Sequence, residues 1–267
     1  MLRFSGAGVS DVGRVRPHNE DSAFHGPFVA VVADGVGGAA AGEVASATAA
    51  YVVAATALAR FGDDPVEVLV RAIEDAHECL RAGVAADEEL AGMATTLTAV
   101  ASDGTRVALA HVGDSRAYLL RDGTLSQISY DHTYVQHLVD TGQLDPADRF
   151  GHPWGNVVLR SLDAGPDRSF DVTDLEVRPG DRLLLCSDGL TDLVRDDRIA
   201  EVLRLTDPHS AAAVLTQSAL LAGGKDNITA VVLDVVDGPL VVGDGRLLGA
   251  LAEIGNVVDP AAVRLVR

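Results

Sequence analysis

Three short apolar runs in this chain stop abruptly at an aspartate beside a glycine. Phe28–Ala33 ends at Asp34-Gly35, Arg106–Val112 at Gly113-Asp114, and Arg182–Cys186 at Ser187-Asp188-Gly189. A fourth aspartate, Asp226, sits just before the last apolar run, Ile228–Val236, in Gly223-Gly224-Lys225-Asp226-Asn227. Runs this short, rich in Val, Leu and Ala and bounded by turn residues, read as buried strands rather than helices. The links Ser102-Asp103-Gly104-Thr105 and Arg121-Asp122-Gly123-Thr124 are hairpin signals, so neighbouring strands run antiparallel. A single Asp-Gly pair is a turn and nothing more, and Asp103-Gly104 and Asp122-Gly123 are read that way. Four aspartates at strand ends are different. Each stands at the rim of an apolar sheet beside small residues that let a ligand approach.

The rest of the chain fills in the layers. Phe4 to Phe24 reads as polar and turn-rich. An Ala-rich helix is expected from Glu43 to Arg60, stopped by Gly62. A second starts with Asp64 as cap and Pro65 at its first position, and runs to about Arg81 before Gly83. Strands are expected at Thr96–Ala101, Ala117–Leu120, Leu125–Ile128 and Phe170–Val177. Between them His132 to Arg160 is a polar insertion, helical and then irregular. Helices over Arg198–Leu205 and Ser210–Leu221 precede the final strand. Paired helices, and strands joined by hairpins rather than βαβ crossovers, argue for an α+β layered domain with antiparallel sheets. Gly238-Pro239 marks a boundary, giving one domain over 1–237 and a C-terminal tail over 238–267 of unknown role.

Charge sharpens the question the aspartates raise. The chain of 267 residues carries a formal net charge of −18, which repels a phosphate backbone and argues against nucleic acid as a partner. If the strand-end carboxylates converge, each pair about 4 Å apart repels by roughly 4 kcal/mol at an effective dielectric of 20. Bound cations relieve that cost. An all-oxygen donor set selects magnesium, manganese or calcium over zinc or copper, and no His or Cys spacing reads as a zinc site. Cys79 and Cys186 lie in apolar surroundings far apart in sequence and read as reduced thiols, which points to a cytoplasmic location. No apolar run approaches the roughly 20 residues of a membrane span, and Met1 to Ser5 lacks the layout of a signal peptide.

Six segments in order then become specific: Arg14-Val15-Arg16-Pro17-His18-Asn19-Glu20-Asp21, Ala33-Asp34-Gly35-Val36-Gly37-Gly38, Met93-Ala94-Thr95-Thr96-Leu97-Thr98, Gly113-Asp114-Ser115-Arg116, Cys186-Ser187-Asp188-Gly189-Leu190 and Asp226-Asn227-Ile228-Thr229. Together they resemble the signatures of the metal-dependent type 2C (PPM) serine/threonine protein phosphatases, in their bacterial single-domain form, over residues 5 to 237. The resemblance implies a four-layer αββα sandwich, two antiparallel sheets flanked by helix pairs. It implies an enzyme that hydrolyses phosphoserine and phosphothreonine on proteins by metal-activated water, opposing a bacterial serine/threonine kinase, with manganese or magnesium as two core ions and a weaker third. Residue by residue, it makes Asp34 a bridge between two metals, the Gly35 carbonyl a ligand of one, and Asp188 and Asp226 ligands of the second. Asp114, with Asp188, would hold the third ion. Glu20, Asp21 and Asn227 would support these ligands from behind, and Arg16 would grip the substrate phosphate bidentately.

Departures from the family pattern are informative. Val36 stands where eukaryotic members place a histidine proposed as leaving-group acid, and cannot donate a proton. His152, Trp154 and Asn156 resemble the family's flap, but Gly155 replaces a frequent arginine. Ser115 reads as a structural hydroxyl, since no protein nucleophile is needed and the Gly-x-Ser-x-Gly elbow is missing. Competing readings are the stress-response branch of the family, acting on one regulatory partner, and a non-catalytic phosphoprotein binder. The joint presence of Asp34, Asp188, Asp226 and Arg16 argues against the binder. Oligomeric state, substrate and kinase are not legible in the chain.

Overall fold

The computed structural model describes residues 1–36, 41–204, 207–241, 243 and 245–261. The Gly37-Gly38 end of one motif, Leu205 at the end of an expected helix, and residues 262–267 of the tail lie outside that set.

The chain opens with β1 (Leu2–Asp11), β2 (Asp21–His25) and β3 (Val29–Val36), followed by α1 (Gly42–Ala59) and α2 (Pro65–Ala86). Then come β4 (Ala94–Thr95), β5 (Leu97–Ser102), β6 (Val107–Val112), β7 (Arg116–Arg121) and β8 (Thr124–Gln127). The polar insertion carries α3 (Tyr134–Asp140) and leads to β9 (Leu162–Asp163), β10 (Asp171–Leu175) and β11 (Arg182–Cys186). Helices α4 (Asp188–Thr191), α5 (Asp196–Leu203) and α6 (Pro208–Leu221) precede β12 (Ile228–Asp237) and β13 (Arg246–Gly249). One sheet has the order β1-β12-β11-β7-β8; the other runs β10-β6-β5-β3-β2-β13, with β4 joining β3 to β9. Every named pair is antiparallel.

Alternation along the strands explains the four layers. Successive side chains point to opposite faces of a sheet. Val29, Val31 and Ala33 of β3 meet the α1–α2 layer, while Ala30 and Val32 turn to the seam between the sheets. In β11, Leu184 and Cys186 face the α5–α6 layer and Leu183 and Leu185 face that same seam. Both faces of these strands are dry, so their sequences are continuous apolar runs rather than alternating ones. The expected α+β sandwich, two antiparallel sheets flanked by helix pairs, is the fold observed.

Two expectations need correction. The turn-rich reading of Phe4 to Phe24 misses β1 and β2. β1 is an edge strand whose only buried residue is Phe4, and a half-exposed edge tolerates the polar and glycine residues that hid it. The second helix does not stop before Gly83 but continues to Ala86. A Cβ at Gly83 would stand 2.8 Å from Val258 Cγ2, so this glycine admits the tail rather than ending the helix. The tail itself adds β13 to the edge of β2. α1 is long and apolar enough to cross a bilayer by length and composition, and 67% of it is buried in this fold, against β3 and α2.

Candidate active site

The strand ends bring the four aspartates to one place. Asp34, near the end of β3, is held by its backbone: its N–H donates to Thr96 Oγ1 at 3.0 Å, and its carbonyl accepts from Thr96 N and Thr95 Oγ1, both at 2.9 Å. Gly35 follows, buried, its N–H on the Glu20 carbonyl at 3.1 Å. β2 and β3 pair with Asp21 opposite Asp34. Across the seam, Ser187 donates to Asp21 Oδ2 at 2.6 Å, which ties the end of β11, and Asp188 after it, to the same point. Asp34 lies near enough to Asp188 for that carboxylate's charge to bear on it. Asp114, on the turn after β6, is 7% exposed.

Asn227 is the clamp of this arrangement. Its Oδ1 accepts from Glu20 N at 2.8 Å, and its Nδ2 donates to the carbonyls of Val12 and His18, each at 2.9 Å. The loop between β1 and β2 is thereby pinned to the start of β12, and Arg16 rides on it. Arg16 Nη2 donates to Asp226 Oδ2 at 2.7 Å, while Asp226 Oδ1 accepts from Asn227 N at 2.8 Å. His18 and Arg16 are exposed at the rim.

Electrostatics follow from crowding acids at the mouth of a dry seam. Burial raises Asp34 and Asp188 well above the usual carboxylate range, and each is pushed further by its acidic neighbours. Burial also lifts Asp114 to about 7, with Asp131 and Asp192 adding to the shift, and Asp21 to about 6. Glu20 and Asp192 are raised for the same first reason. Such shifts mark a site that demands positive charge. Asp21 Oδ1 is buried with no partner, and every donor here is an oxygen. These features fit a hard divalent cation. Among the described residues no three acidic, His or Cys side chains form a ready-made metal cage. That is consistent with magnesium or manganese keeping several waters instead of closing a protein shell.

Asp114, Asp188 and Asp226 line a cleft of about 580 Å³, whose opposite wall is the polar insertion, including Arg149, His152 and Asn156. Trp154 does not line it. That ring is 53% exposed and packs on Tyr134 and His152, with centroids 5.5 and 5.6 Å apart. Ser115 is fully buried and bonded to Thr96 Oγ1 at 2.6 Å, out of reach of a substrate.

Two features escaped the sequence reading. Asp192 lines the same cleft, four residues after Asp188 across the short α4; that spacing was the signal available. Asp131, 3% exposed, takes a bidentate contact from Arg116 at 3.0 and 2.6 Å and forms the charged floor beside Asp114. Nothing local announces that pair, which is closed by the β7–β8 hairpin.

Comparison with known proteins places the chain in a family. The protein phosphatase 2C family matches residues 17–223. The serine/threonine protein phosphatase PstP of Mycobacterium tuberculosis is 45% identical over 237 residues, covering 89% of this chain, and this chain spans only 46% of PstP. The serine/threonine phosphatase stp of Listeria welshimeri is 35% identical over 239 residues, covering 84% of this chain and 93% of stp. The solved catalytic domain of PstP, in complex with two manganese ions, superimposes with a TM-score of 0.80 at 44% identity, covering 89% of this chain and all of that one. This chain belongs to the protein phosphatase 2C family.

Proposed function

We propose that this chain hydrolyses phosphoserine and phosphothreonine on proteins, using two manganese or magnesium ions and a weaker third, and that it opposes a serine/threonine kinase in a bacterial cytoplasm. The observation that carries the reading is that Asp114, Asp188 and Asp226 line one cleft, with Asp34 close to Asp188 and Asp114 and with Arg16 bonded to Asp226. Asp34 would be shared by the two core ions, with the Gly35 carbonyl on one and Asp188 and Asp226 on the other. Asp114 and Asp188 would hold the third. When bound, such ions would supply Lewis acidity, making water more acidic and neutralising charge on the phosphoryl oxygens.

The chain's own residues do the rest. Arg16 offers two parallel N–H donors to the phosphate, and the Asn227 clamp fixes the loop that carries it. Asp21, with Oδ1 free of protein partners, accepts a hydrogen bond from water at the centre and orients it. The His152 and Asn156 wall limits water access and meets the peptide. No side chain at Val36 or Ser115 supplies a proton or a nucleophile.

Phosphate release from a phosphothreonine peptide, with and without manganese, tests this reading. Wild-type protein is expected to turn over only with the metal, and Asp188→Asn not at all. Binding of the phosphopeptide without turnover in any metal would instead establish a non-catalytic phosphoprotein module.

A further inference from the structure

We propose that the C-terminal segment 246–251 is a positioning element of the metal centre, acting through Gly249 on the backbone of Asp21. The proposal rests on the metal-dependent reading above. The segment lies past residue 223, where the family match ends.

Without β13, β2 would be an edge strand bonded only to β3. Asp21 is the first residue of β2, and strand ends with one neighbour are where a sheet opens most readily. β13 supplies the second neighbour, with Arg246 opposite His25, Leu247 opposite Phe24, Leu248 opposite Ala23 and Gly249 opposite Ser22. The ladder therefore closes one residue short of Asp21.

Gly249 then makes a contact no other residue could. Its φ is +64°, and a Cβ there would stand 2.1 Å from the Asp21 carbonyl oxygen and 2.9 Å from Ser10 Oγ. Both the backbone angle and the lack of a side chain are required. Ser10 belongs to a polar network around the centre. Its Oγ pairs with Thr229 Oγ1 at 2.8 Å and accepts from Asn19 Nδ2 at 2.9 Å. Asn19 Oδ1 accepts from Asp21 N at 3.1 Å, Ser187 Oγ accepts from Thr229 N at 2.9 Å, and Ser187 donates to the Asp21 carboxylate. The tail thus seals the outer side of a network whose inner side is the carboxyl facing Asp34.

The segment is also anchored firmly enough to bear on that point. Leu251 is fully buried in the core under α1. Val258 N donates to Thr48 Oγ1 at 3.1 Å, and Tyr51 donates to the Pro260 carbonyl at 3.1 Å, both from α1. Gly83 of α2 receives Val258.

The test is manganese binding by calorimetry on the full chain, with thermal unfolding and phosphopeptide kinetics alongside. Gly249→Ala is expected to weaken the tight manganese class about ten-fold or more and to lower kcat with KM for the peptide held. Ser10→Ala, which introduces no strain, is expected to move both quantities the same way by less, and it carries the test alone if Gly249→Ala does not fold. Val258→Ala, a loosening of the same tail away from Asp21, is expected to lower Tm and leave manganese affinity unchanged. Unchanged manganese affinity in folded Gly249→Ala or in Ser10→Ala would overturn the proposal, as would an equal loss in Val258→Ala. Failure of the wild-type chain to bind manganese would instead overturn the reading on which it rests.

Discussion

Asp226 serves two cations at once in this account. Its Oδ1 is taken by Asn227 N and its Oδ2 by Arg16, so an ion and the guanidinium draw on one carboxylate. Arg16→Ala is therefore expected to tighten manganese binding while raising KM for a phosphopeptide about 10–100-fold, the range of a lost charge-assisted pair. A collapse of kcat with KM unchanged would show that Arg16 acts otherwise. Asp34→Asn and Asp188→Asn are expected to abolish turnover yet leave the metal-free fold as stable as wild type or more so, because like-charge repulsion is relieved; near-normal phosphate release at saturating manganese would refute their role. These residues were legible in the sequence because each interrupts an apolar run, and a charge at a strand end stands out against Val and Leu. Asp131 and Asp192 were not. The first is defined by Arg116 across a hairpin, and the second by a helical turn too short to show a period.

Elements divide in the same way. The interior strands β3, β5, β6, β11 and β12 could be read directly, since dry faces on both sides demand apolar runs. β2, buried throughout, could not, because Asp21, Ser22 and His25 break its run. β1 and β13 could not, because edge strands are specified by their partners β12 and β2 rather than by their own hydrophobicity. Gly83 shows the same limit inside a helix. It reads as a stop, and its reason is Val258, 175 residues later. Gly83→Ala is expected to cost about 1–3 kcal/mol through overpacking, although alanine is the better helix former. A rise in Tm would show that the tail does not press on α2. The cleft wall formed by the insertion faces Asp114, whose lone carboxylate shares Asp188. Asp114→Ala is expected to retain the tight manganese class and the fold, lose the weak class and lose most activity on phosphopeptides. Loss of the tight class, or normal peptide turnover, would make Asp114 an ordinary turn residue or move it to the core pair.

For the molecule as a whole, the acid cluster ties stability to protons and metal together. Asp114 at about 7 and Asp21 at about 6 hold their protons more tightly folded than unfolded, where a carboxyl titrates near 3.8. A raised folded pKa means stability that is full below the unfolded value and lost as pH rises through 6 and 7. His111, pushed down to about 4 by burial, works in the opposite sense: its contribution is intact above 6.5 and fades as pH falls towards 4. His25, lowered by burial and by Arg246, works in the same sense as His111. With the acids at Asp21, Asp34, Asp114 and Asp188 outnumbering these two histidines, chelator-treated protein is expected to melt higher at about pH 5.5 than at about pH 8. Manganese should reverse that order, because its ligands must be deprotonated. A metal-free Tm that rises towards pH 8 would contradict the crowding of acids on which the site is built. The most direct test of the central claim, that strand-end carboxylates converge to hold catalytic cations, is calorimetric titration of manganese into wild-type protein and Asp34→Asn at neutral pH. A tight class of two ions in the wild type that disappears in the variant is the expected result, and an identical isotherm for the two proteins would contradict it.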